Sequence, residues 1–92
     1  MTIQSGAVVS NVIHRDDQLN VTVFGFDSGE GMTQHESPHP AIVRILQGRM
    51  RFTADGEEAD ASSRWWLHMA PRTPHRLVAT EPTVMLLTLL TG

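Results

Sequence analysis

Ninety-two residues allow one domain and exclude a linker-separated second one. The chain has no cysteine and no lysine, which excludes disulfides, thiolate metal sites and Schiff-base chemistry; a metal centre would have to use imidazole, carboxylate or amide ligands. The net charge of −3 comes without an acidic run or a basic stripe, and no apolar run approaches the roughly 20 residues of a spanning helix, so neither nucleic acid nor membrane is an expected partner.

In chain order the pattern is strand after strand. The N-terminal MTIQSGAVVSNVIHRDD lacks the basic and apolar regions of a signal peptide, so a cytoplasmic location is expected. AVVSNVIHR and LNVTVFGF read as strands parted by Asp16-Asp17, and His14 is expected at the surface. DSGEG forms a glycine-rich turn, followed by a short strand MTQH and the proline-rich HESPHP.

AIVRIL, Gln47-Gly48 and RMRFT then suggest a two-residue hairpin. Its register would put Ala41, Val43, Ile45, Met50 and Phe52 on one face and Arg44, Arg49, Arg51 and Thr53 on the other. ADGEE is a turn with Asp55-Gly56 at its tip. RWWLHM and HRLVA read as strands on either side of a rigid APRTP loop, and TVMLLTLL closes the chain. That last run is apolar on both sides, so it lies either inside the fold or under a partner subunit. About eight strands at regular spacing predict an all-β sandwich or barrel. A chain this short buries only about 60–65% of its extended surface, so pairing as a homodimer is expected.

Two stretches narrow the choice of barrel: GMTQHESPHPAIVRILQGRMRF, and after a spacer MAPRTPHRL. Together they resemble the two-motif signature of the cupin superfamily, with motif 1 at about 31–48 and motif 2 at about 64–77. The V-x-x-L-x-G run ending at Gly48 and P-x-x-P-H ending at His75 carry the likeness. The resemblance implies one small, RmlC-like domain over 1–92, a jelly-roll barrel or double-stranded β-helix. Counting back from Gly48, His35 occupies the first histidine position of motif 1. The second histidine position is Ser37, with His39 two residues beyond it, and the glutamate position is Ala41. In motif 2, Arg64-Trp65 stands where Gly-Asp is usual.

The candidate metal ligands are therefore His35, His39 and His75. Pro38, Pro40 and Pro74 stiffen the backbone beside them and reduce the entropy lost when side chains converge. Three neutral imidazoles suit a divalent ion such as zinc, iron, nickel, copper or manganese. Strand alternation turns Gln34 and Glu36 away from His35, and His68 is an ordinary strand residue on this reading. Trp66, Met50, Phe52 and Met32 are expected to line an apolar pocket for a small molecule.

No nucleophile elbow, thiol or phosphate loop is present, and no catalytic residue is named. The leading expectation is a metal-binding cupin acting on a small organic molecule as a dioxygenase, isomerase or lyase. The alternative is a non-catalytic ligand-binding or sensory barrel, and a third is a structural partner protein.

Overall fold

The computed structural model covers Met1–Gly92. Nine strands run in chain order: β1 Val8–Arg15, β2 Leu19–Phe26, β3 Gly31–His35, β4 Ala41–Gln47, β5 Arg49–Ala54, β6 Glu57–Ser62, β7 Trp66–Met69, β8 His75–Ala79 and β9 Thr83–Leu90. They form two antiparallel sheets, one ordered β1-β2-β9-β4-β7 and the other β3-β8-β5-β6. The predicted all-β jelly-roll barrel is the observed fold. There is no helix, hence none long and apolar enough to cross a membrane.

The core lies between the sheets. Phe26, Ala41, Val43, Ile45, Met50, Phe52, Met69, Leu77 and Met85 are its main buried side chains. Alternation supplies them: the pattern buried, exposed, buried repeats along β8, and in β4 positions 41, 43 and 45 point inward. The inward set Ala41, Val43, Ile45, Met50 and Phe52 is as the sequence predicts.

The pairing is not. β4 bonds to β7 and β9, whereas β5 bonds to β6 and β8, so Gln47-Gly48 is a corner between sheets and not a hairpin turn. Both arrangements aim the same side chains at one core, which is why alternation could not separate them. Gly48 makes the corner possible. Its φ is +93°, and a Cβ there would lie 2.2 Å from the Pro82 carbonyl oxygen. Thr83, fully buried, fastens the corner: its hydroxyl donates to the Arg49 carbonyl at 2.9 Å and accepts the Arg49 N–H at 3.1 Å.

The true hairpin follows. Asp55 (φ 51°) and Gly56 (φ 80°) join β5 to β6, with Ala54 opposite Glu57. Two positive φ values are those of a type I′ turn, which suits Asp-Gly. β6, EEADAS, is a strand with no sequence signal of its own. It lacks aromatic and aliphatic β-formers and is held by pairing with β5.

β9 is the middle strand of the five-stranded sheet, between β2 and β4. Met85, Leu87 and Leu89 pack on the core side; Val84, Leu86 and Leu90 lie half-buried on the outer face. The apolar run thus belongs inside the sheet, with one of its two faces turned outward.

Candidate functional site at the barrel mouth

β3 and β8 bring the first and last histidine of the two motifs side by side. Gly31 pairs with Val78 and Met32 with Leu77, but His35 then pairs with His75, so three steps along β3 match two along β8. This bulge matters chemically. Strict alternation from the inward Met32 would turn His35 outward; one extra residue returns it to the face of His75. The two rings lie 4.1 Å apart between centroids, tilted by 60°.

Each ring is held in the same way. His35 Nδ1 donates to the Thr33 carbonyl at 2.7 Å, and His75 Nδ1 donates to the Thr73 carbonyl at 2.9 Å. A carbonyl oxygen only accepts, so each Nδ1 bears the proton and each Nε2 keeps its lone pair. His75 is buried and lies flat against Phe52, with centroids 6.0 Å apart and planes 3° from parallel. Its basicity is pushed below the ordinary imidazole value, chiefly by burial and further by the neighbouring His35. The Thr73 hydrogen bond opposes that shift. His35, by contrast, is exposed at the rim.

The loops around the rings are tied to each other. Arg72 N–H donates to the Ser37 carbonyl at 2.7 Å, and Leu90 N–H donates to that of Pro40 at 2.9 Å. Ser37 Oγ accepts the His39 N–H at 3.2 Å, and the Arg72 guanidinium stands 3.9 Å from Glu36. The proline-rich HESPHP and APRTP segments thereby form one rim. Beneath it is a hollow of about 210 Å³ in which His35, His39 and His75 face walls that include Ala41, Met69, Leu87 and Leu89.

The three predicted ligands therefore share one hollow, but only two of them meet. No three histidine, aspartate or glutamate side chains gather closely enough to hold a metal ion. Ala41, fully inward, presents a methyl group where the resemblance would put a carboxylate. As placed, the donors fit two-point imidazole binding and do not fit a resident three- or four-ligand centre.

The predicted pocket lining needs correction. Trp66 is 62% exposed on the outer face, beside Arg44 and His68. Since Met69 and Leu67 face inward on β7, alternation sends Trp66 out, and Trp65 instead packs on Phe52 at 5.3 Å between ring centroids. Met50 and Phe52 are core filler, at most 1% exposed, and do not line the mouth. Met32 packs inward against the core and borders a different hollow, of about 450 Å³, with Gln34, Arg51 and Arg76. His14 is at the surface as expected, its Nε2–H donating to Asp16 at 2.8 Å.

Met69, one of the methionines the sequence offers for an apolar cavity, does line the hollow, whereas sequence reading missed the walls Leu87 and Leu89 and the carbonyls of Thr33 and Thr73. The inward side of TVMLLTLL carried the only signal for the two leucines. Thr-x-His does recur in both motifs, at Thr33–His35 and Thr73–His75, but the main-chain oxygen is what acts and any residue type supplies one.

No family model matches the chain, and no curated protein matches it. Solved structures do. A conserved protein of unknown function from Streptococcus pyogenes is 31% identical, with a TM-score of 0.90 over 99% of this chain and 80% of that one. A cupin superfamily protein from Desulfitobacterium hafniense is 22% identical, with a TM-score of 0.93 over 100% and 84% of the two chains. An RmlC-like cupin from Desulfovibrio desulfuricans is 20% identical, with a TM-score of 0.89 over 99% and 89%. Strand order, barrel mouth and these likenesses agree, and the chain has the jelly-roll fold of the cupins.

Proposed function

We propose that this chain is a small-ligand-binding cupin whose binding site is the hollow under the HESPHP and APRTP rim. One observation carries the reading. Two imidazoles commit Nδ1 to backbone carbonyls and leave two Nε2 lone pairs beside an apolar hollow. A few fixed polar groups among apolar walls are what a small-molecule site requires. Nitrogen-15 NMR of the imidazoles tests the premise: His35 and His75 should both report a protonated Nδ1 and a bare Nε2. A titration with a library of small compounds tests the function. Shifts should cluster on His35, His75, Met69 and Leu87; a library that perturbs no residue of the mouth would end the reading.

A second reading has its own support. Histidines that ligate metals commonly donate the other ring nitrogen to a carbonyl or carboxylate, as both rings do here. On that reading a divalent ion binds Nε2 of His35 and His75, the two rings that meet, and takes its remaining ligands from water or a bound molecule. Elemental analysis of untagged protein separates the two. Near-stoichiometric zinc, iron, nickel, copper or manganese, lost in His35→Ala, favours the metal; apo protein that takes up no added ion leaves the first reading alone.

A further inference from the structure

Resting on the ligand-binding reading above, we infer that the ligand is a small uncharged hydroxyl compound, an alcohol or a phenol, bound through its O–H without a metal. The donor and acceptor inventory of the mouth points there. Both Nε2 atoms are acceptors, because both Nδ1 atoms already donate to main chain. The Thr73 hydroxyl is taken up by the Ala70 carbonyl at 2.8 Å, so it offers no donor inward. Ser37 Oγ accepts the His39 N–H, which leaves its own proton as the one hydroxyl donor available at the rim. A guest must therefore bring a hydrogen-bond donor to the ring pair, and what it can accept comes from Ser37 and from the ring N–H of His39, which also lines the hollow.

Charge narrows the class further. No arginine, aspartate or glutamate lines the hollow, and the rim's Arg72 is paired with Glu36. A carboxylate or phosphate there would find no cation, and an ammonium would find no anion, since position 41 is alanine. Removing an unpaired charge from water into such a space is strongly unfavourable. A neutral hydroxyl loses little by comparison once it donates to an Nε2. Size gives the last limit. About 210 Å³ is below the roughly 300–1,000 Å³ of pockets for drug-sized molecules, and Met69, Leu87 and Leu89 suit a compact hydrocarbon body.

Three probes with one ring and different head groups test this: benzyl alcohol, benzoate and benzylamine, titrated at neutral pH in excess EDTA and followed at the His35 and His75 side chains by NMR. Benzyl alcohol should bind at least tenfold more tightly than either charged analogue. His35→Ala, at an exposed position on the rim, should weaken it at least tenfold while the protein keeps its β structure by circular dichroism. Benzoate or benzylamine binding as well as the alcohol would overturn the proposed class, while the site itself would stand. Alcohol binding that disappears in EDTA would overturn the metal-free part in favour of an ion. If the wider library also leaves the mouth unperturbed, the underlying reading fails and this proposal goes with it.

Discussion

His75 shows how much of this protein's chemistry is set around a single side chain. Phe52 lies flat against its ring, His35 tilts over its edge, and the Thr73 carbonyl fixes its tautomer. Burial, then the charge of His35, favours the neutral imidazole in the folded state. The stability consequence has a definite sign. As pH falls through the ordinary imidazole value of 6.5, the unfolded chain takes up the proton before the folded one does. Folding should therefore be at full strength above that value and weaken progressively below it. Urea unfolding at pH 8 and pH 5.5 should show this loss, and His75→Gln should flatten it. A second loss belongs to lower pH. The His14 ring, with the Gln18 and Leu19 N–H groups, holds the Asp16 carboxyl at about 2 instead of 3.8, and that contribution is present above 3.8 and lost as pH falls towards 2. Phe52 is the other decisive residue, touching both Trp65 and His75 from a position 1% exposed. Phe52→Ala should cost about 3–5 kcal/mol, read by chemical denaturation, and release the His75 ring from its stacked pose.

At the scale of elements, two glycines with similar dihedrals should behave differently. Gly56, at the tip of the β5–β6 hairpin, has φ +80° and open space where a Cβ would stand. Gly48 has φ +93° with Pro82 and Thr83 pressed against that same position. Gly56→Ala should cost only the left-handed penalty of about 1–2 kcal/mol. Gly48→Ala adds a backbone collision at the corner, so it should be the more destabilising of the two and lower the yield of folded protein; equal unfolding midpoints for the pair would contradict the corner's role. The β3 bulge is the functional counterpart. One extra residue between Met32 and His35 decides whether an imidazole faces its partner or the solvent. Neither the bulge nor the corner has a sequence mark. A glycine at a hairpin tip and one at a sheet crossing look alike in a string of letters, and a bulge exists only relative to a partner strand.

Across the whole molecule, the outer side of the five-stranded sheet is largely apolar, interrupted by Arg44 and Thr88. On the outer side of the five-stranded sheet Val21, Val23, Ile42, Val84, Leu86 and Leu90 are half-buried, with Met1 and Ile3 lying over Gly25 nearby. We propose that a second copy of the chain meets this face. Sedimentation at micromolar concentration should then show a dimer that Leu86→Glu converts to a monomer without loss of β structure; a wild-type monomer would remove the proposal. The barrel itself does not select a reaction, because one fold hosts many chemistries and function resides in the site placed on it.

Much of this architecture was legible in the residues. Alternation of small apolar side chains determined which residues point inward, Asp-Gly determined the β5–β6 hairpin, and the two proline-histidine stretches marked the loops that become the rim. These are local properties, fixed by dihedral preference and a two-residue period. Only the tertiary structure decided which strands pair, that Gly48 crosses between sheets, that Trp65 and not Trp66 turns inward, and that His35 meets His75 while His39 stands apart. Those outcomes depend on partners far away in the chain, and no local preference of a residue encodes the position of something it touches only after folding.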